Sequence, residues 1–388
     1  MILENVHVVG KNEKRSIHVH GGVIKAIAND VSLLQAAKET RIDFNGALAF
    51  PGLINSHDHL DFNLFPSLKN RTYNSYTEWG ADIHQQNKDV INEVQKVPAK
   101  LSLQWGIYKN LLNGITTVIN HGEIHVAGDN LITVFQNCYD LHSPRFEKNW
   151  KLKLNRLFRS DKPFVIHIGE GTNADAEKET DEVIQANFFK RKIIAVHGVS
   201  MSEKQAASFH ALVWCPYSNY FLLNKTSDIK NLKKTVAVVF GSDSTLTSSW
   251  NFWDHIRCGL NTGMISQNEL FEMLTINPAK VWQLGNSGSI EKDMNADIVI
   301  ASSETGDKDL NDFFQLNPEN ILMVMHKGNI RLVDERIINQ LTGDIFDSNK
   351  FSCIKMNTAK KYVQGDLTGL VNTIRKYYPG ADIPFTVI

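Results

Sequence analysis

Pro51-Gly52-Leu53-Ile54-Asn55-Ser56-His57-Asp58-His59 is the stretch on which the reading of this chain turns. An apolar run ends in two histidines spaced two apart. Successive strand side chains point to opposite faces, so His57 and His59 project the same way and can share one cation. The spacing alone is weak, because His18-Val19-His20 repeats it in what reads as an ordinary strand. Weight comes from later apolar runs that close on residues of the same kind. His167 lies just past Phe164-Val165-Ile166, Ile193-Ile194-Ala195-Val196 runs into His197, and residues 236–240 lead into Gly241-Ser242-Asp243. Short buried-strand signals that each deliver a His or Asp at the C-terminal end predict an α/β chain, a (β/α)8 TIM barrel with its site on that face.

Outside the barrel, residues 1–50 read as short strands and turns, and residues 296–300, 321–326 and 330–333 have the same character. Neither piece can bury a sheet face alone, so the two are expected to pair as a discontinuous β-sandwich flanking the barrel. The expected division is 1–50 plus 288–340 for the sandwich, 51–287 for the barrel and 341–388 for a C-terminal extension. Residues 101–113 read as a helix stopped by Gly114, and Ile115-Thr116-Thr117-Val118-Ile119 as a strand ending near His121. The stretch between His121 and His167 must hold the third and fourth strands, and its signals around 132–141 are indistinct. In the extension a helix is expected over 367–377, closed by Tyr378-Pro379-Gly380. Packing over the barrel and a subunit contact are both open for it, as is a homo-oligomer.

Composition sets further limits. The 388 residues carry 41 Lys and Arg against 42 Asp and Glu, a formal net charge of -1, which leaves no electrostatic footprint for nucleic acid or an anionic membrane. A small neutral or modestly charged substrate fits such a chain. Cys138, Cys215, Cys258 and Cys353 show no paired metal-ligand spacing, and the first residues do not resemble a signal peptide. The expectation is a reduced, cytoplasmic, soluble protein with no membrane span. Cys215 has no base at interpretable spacing and is not expected to be a nucleophile.

With its motifs in order, the chain resembles the amidohydrolase superfamily, in the branch containing cytosine, guanine and triazine deaminases and chlorohydrolases. The resemblance covers roughly residues 1–340. It rests on the His-x-His after Pro-Gly, His167-Ile168-Gly169-Glu170, His197-Gly198, Trp214-Cys215-Pro216-Tyr217-Ser218-Asn219 and Gly241-Ser242-Asp243-Ser244. Asn277-Pro278-Ala279-Lys280, Gly288-Ser289-Ile290 and Asn295-Ala296-Asp297-Ile298-Val299 follow in the expected order.

His57, His59, His167 and Asp243 supply three imidazoles and one carboxylate, a set suited to one Zn2+ or Fe2+ with a position left for water. A cation there brings the pKa of its water to about 7. The resemblance gives Glu170 the role of carrying a proton from that water to a ring nitrogen. Its plainer reading is a loop carboxylate or a cap for the helix around 176–184. Asp243 is expected to be both ligand and proton acceptor. His197 is either a ligand or a group that polarises the reacting centre. A binuclear site would need a bridging lysine or glutamate on the fourth strand, and no lysine ends a clear apolar run there. His121, Glu123, Trp79, Trp214 and Asn219 are candidate substrate contacts, with His125 making a plain surface loop equally open for the first two. Tyr76, Trp79 and His84 form either an aromatic lid or packing.

The function implied is hydrolysis of a C–N bond, foremost the deamination of an amino-substituted heterocycle. Opening of a cyclic amide or imidazolone-like ring, and heteroaromatic dechlorination, are alternatives. A silent barrel used for binding or assembly is the reading from another class, and the filled ligand positions speak against it.

Overall fold

Eight short parallel strands occupy the middle of the chain: β1 (Leu53–Asp58), β2 (Ile115–Asn120), β3 (Thr133–Phe135), β4 (Tyr139–Asp140), β5 (Phe164–Ile168), β6 (Ile193–His197), β7 (Ala211–Trp214) and β8 (Ala237–Phe240). The structure, a computed structural model, describes residues 1–11, 13–34, 39–122, 131–157, 161–303, 309–341, 343 and 345–388. The parallel strands pair as a three-stranded sheet, β1-β2-β3, and a five-stranded sheet, β8-β7-β6-β5-β4. β1, β2, β5, β6 and β7 are buried along their whole length; β5, β6 and β7 are near-continuous apolar runs, whereas β1 also buries the polar Asn55-Ser56-His57-Asp58.

The two sheets meet where β8 ends against β1. Ser242 N and Asp243 N donate to His57 O at 3.1 and 3.0 Å. A Cβ on Gly241 would lie 2.8 Å from the His57 Cβ, so only glycine lets the two strand ends approach. The indistinct third and fourth strands are explained by their size. β3 has three residues and β4 two, too few to show a period, and no helix lies between them.

The remaining strands form one sheet. Leu48–Pro51 pairs with Ile2–Val8 on one edge and antiparallel with Ile298–Ala301 on the other, so the N- and C-terminal pieces fuse edge to edge. The result is a single eleven-stranded hydrogen-bonded sheet where two stacked sheets were expected. Residues 341–388 are part of it: Phe351–Met356, Ala359–Gln364 and Thr386–Val387 add three strands. The expected helix is present as Leu367–Tyr377 and packs toward the helix Ala99–Leu112. Tyr108 Oη donates to Gln364 O at 3.1 Å, and the Trp105 and Phe385 rings lie 6.0 Å apart. The segment thus packs on the helix Ala99–Leu112. Between the mixed sheet and the parallel strands, Phe50, Trp253 and Phe313 meet edge to face in the core. Among the described residues no helix is long and apolar enough to cross a membrane.

Candidate active site

The alternation of β1 sorts its last residues. His57 and His59 turn toward the other strand ends, and Asp58 turns away into a buried polar knot. There Lys109 Nζ and Asn110 Nδ2 donate to Asp58 Oδ2 at 3.0 and 2.8 Å, and Asn63 Nδ2 donates to Oδ1 at 2.8 Å. Both Lys109 and Asp58 are inaccessible to solvent. Removing either partner would leave an uncompensated buried charge, so the knot fixes the end of β1.

On the inner side the imidazoles converge. His167 Nε2 lies 3.1 Å from His57 Nε2 and 3.2 Å from His59 Nε2. Asp243 Oδ1 stands 3.8 Å from His57 Nε2 and 3.7 Å from His59 Nε2. Each group is held from behind. His167 Nδ1 faces the His142 carbonyl at 3.1 Å, which can only accept, so Nδ1 carries the proton and Nε2 turns its lone pair to the cluster. Ser218 and Thr247 donate to Asp243 Oδ2 at 2.7 and 2.9 Å, leaving Oδ1 free. Burial first, then the neighbouring imidazoles, lowers the pKa of His57 and His167, which keeps them neutral. For Asp243 burial acts upward, but His59, His197 and the two hydroxyls together hold its carboxyl below the ordinary value. Neutral imidazoles beside an ionised carboxylate are the protonation states a borderline cation requires, and His57, His59 and His167 have the spacing to hold one.

His197 stands next to this set. Its Nδ1 donates to Asn219 Oδ1 at 2.8 Å, and Nε2 is turned toward Glu170 Oε2 at 3.6 Å. Both His197 and Asp243 adopt left-handed backbone, φ 71° and 62°, a strained conformation for residues other than glycine. Glu170 is buried, and burial, followed by Asp243 and Glu179, raises its carboxyl well above the ordinary range. It does not cap the following helix: Asn173 does, accepting from Ala176 N.

His121 lies behind the cluster, its ring 4.5 Å from that of His167 and its Nε2 2.8 Å from Asp140 Oδ1. The fourth strand therefore ends in a carboxylate, one already engaged by His121. Burial acts to raise the Asp140 pKa, and the His121 contact outweighs it, holding the group below the ordinary carboxylate range. Glu123 and His125 lie outside the described residues.

A cavity of about 550 Å3 opens over the cluster, with His59, His167, Glu170, His197 and Asp243 at its inner end. Tyr76, Trp79 and His84 line it, together with Phe62, Phe65, Ile91 and Leu246, which the motifs did not indicate. Two expected substrate contacts lie elsewhere. Trp214 is fully buried, with Nε1 donating to Thr226 Oγ1 at 2.8 Å, and Asn219 is spent on His197 and Thr226. His121 is likewise absent from the lining. The Trp-Cys-Pro-Tyr-Ser-Asn stretch acts instead through Ser218 and Asn219, which hold Asp243 and His197. Cys215 is buried and its thiol pushed far up by that burial, so it is no nucleophile.

Imidazoles and a carboxylate gathered at the C-terminal ends of parallel strands are what the ordered motifs implied, and residues 149–331 match the amidohydrolase family. Over longer stretches the chain is similar to the 5-methylthioadenosine/S-adenosylhomocysteine deaminase of Pyrococcus furiosus, 22% identical over 77% of this chain and 86% of that protein. The enzyme of the same name from Caldicellulosiruptor saccharolyticus is 24% identical, over 85% and 91%. Among solved structures, an adenosine deaminase from Xanthomonas campestris with bound zinc shares the fold at a TM-score of 0.69, 16% identity and 97% coverage of both chains.

Proposed function

We propose that the chain is a metal-dependent hydrolase that deaminates an amino-substituted heterocycle, its parallel strands closing as a (β/α)8 barrel around one divalent cation, zinc, held by His57, His59, His167 and Asp243. Such a cation would supply Lewis-acid activation of water at neutral pH. The rest falls to the chain's own groups. Asp243 Oδ1, free of hydrogen bonds while Oδ2 is anchored, accepts a proton from the attacking water. His197, steadied by Asn219, presents Nε2 to the reacting carbon's substituents. As the C–N bond breaks, the amino group leaves as ammonia.

The observation that carries the reading is Glu170. A carboxyl kept neutral by burial, lining the cavity beside the cluster, is the acid needed to protonate a ring nitrogen and so make the adjacent carbon electrophilic. The names of the two curated relatives support the same class of reaction.

The test is a screen of aminopurines, aminopyrimidines, pterins and triazines for ammonia release by metal-replete protein, with metal content measured on the same sample. About one equivalent of metal is expected, with ammonia from at least one ring class. Turnover of ring amides or chloro-heteroaromatics without ammonia would replace deamination with those reactions. Protein that holds no metal and turns nothing over would be the silent scaffold.

A further inference from the structure

The chemistry of the cavity changes from its floor to its mouth. Histidines, Glu170 and Asp243 occupy the inner end, and the wall beyond them is Phe62, Phe65, Ile83, Ile91 and Leu246. The polar atoms of the wall's two larger aromatics are already engaged. Trp79 Nε1 donates to Leu68 O at 2.9 Å, and Tyr76 Oη lies 3.3 Å from both carboxylate oxygens of Glu179. His84 and Gln95, both exposed, stand at the mouth. Among the described residues no Lys or Arg lines the cavity.

We infer that the substrate's heterocycle carries an uncharged, apolar substituent, and that carboxylate- or phosphate-bearing analogues are rejected. The inference rests on the deaminase reading and narrows it. An apolar group gains by leaving water against this wall, and each added methylene in such a pocket is worth about 10-fold or more in kcat/KM. An anion carried by the substituent must shed its hydration against this wall, where no Lys or Arg meets it.

The experiment compares kcat/KM by ammonia release for adenosine, 5′-methylthioadenosine, S-adenosylhomocysteine and adenosine 5′-monophosphate with metal-replete enzyme. If another ring is the better substrate, alkyl and carboxyalkyl derivatives of that ring replace them. The apolar member should lead, with the carboxylate- and phosphate-bearing members about 10²-fold or more below it. Carboxylate- or phosphate-bearing members within about threefold of the apolar one would overturn the inference. Ile91→Arg should move the anionic-to-apolar ratio up by about 10-fold or more, and Gln95→Arg, at the exposed mouth, does the same if the first variant does not fold. An unmoved ratio in a folded variant would also overturn it. If no ring releases ammonia, the deaminase reading has failed by itself. Equilibrium binding of the same apolar and anionic pair, followed by tryptophan fluorescence, then decides the substituent.

Discussion

Two His-x-His pairs in this chain have the same spacing and opposite fates. His57 and His59, at 1% and 12% side-chain exposure, meet His167 and Asp243 from two other strands. His18 and His20, at 17% and 66%, face Glu39 at 3.6 and 3.1 Å, a half-exposed group that also has the spacing to hold a cation but whose carboxylate is already bonded to the amino terminus. The difference is strand direction. Parallel neighbours all end on one rim, so ligands carried at their C-terminal ends add up. The strand Lys14–His20 lies between two antiparallel partners, Ile2–Val8 and Val23–Ala28, whose C-terminal ends point the other way. The same spacing yields a buried four-residue cluster in one place and a half-exposed three-residue group in the other.

The sharpest way to break this contrast is to remove one histidine from each pair. His57→Ala should lose bound metal and lower turnover by on the order of 10³-fold or more, since the Lewis acid's whole contribution goes with it. Elemental analysis beside steady-state kinetics checks both, and a His57→Ala protein that keeps its metal would remove β1 from the ligand set.

The next largest effect is predicted for the knot behind β1. Lys109→Ala leaves Asp58 charged and buried and should cost about 3–5 kcal/mol of stability, read from the midpoint of urea unfolding. A loss within 1 kcal/mol, roughly the value of a surface pair, would mean the knot does not fix the strand end.

Glu170→Gln preserves size and polarity but cannot cycle a proton. Turnover should fall about 10²-fold while metal and substrate binding persist. Near-normal turnover would hand the proton to Asp243 or His197.

Carboxylates near the two pairs also diverge with pH. Glu39, beside the exposed pair, is held down to about 2, chiefly by its hydrogen bond to the amino terminus. Glu179, under Tyr76, is pushed up to about 7 by burial. A folded pKa above the unfolded one means the folded state binds the extra proton, so stability from Glu179 falls as pH climbs from about 4 to about 7. Glu179→Gln should remove that slope, gaining about 2 kcal/mol on wild type between pH 5 and pH 8 in urea titrations. A gap between the two proteins that does not change with pH would refute the assignment.

The smallest effect belongs to the other histidine pair. His20→Ala should leave metal content and turnover within about 2-fold of wild type, as a surface change does. A loss of metal there would make the contrast one of degree.

The sequence by itself determined the strand ends. Each strand that bears a metal-site residue was legible because its apolar run stops at a His or an Asp, and alternation in β1 is enough to turn His57 and His59 to one side. The helix over Ala99–Leu112 was legible from its length and from Gly114 after it. Tertiary structure alone decided the rest. That Asn219 and Ser218 hold His197 and Asp243, and do not touch the cavity, depends on where a short helix after β7 lands, and no local pattern encodes that. That β3 and β4 are strands at all depends on their pairing with β2 and β5, because two or three residues have no period of their own. Fusion of the terminal segments into one sheet depends on Leu48–Pro51 finding Ile298–Ala301 nearly 250 residues away. Periodicity and chain direction are local properties and survive in one dimension, whereas the partners of a side chain or of a strand edge are set by the closure of the whole fold.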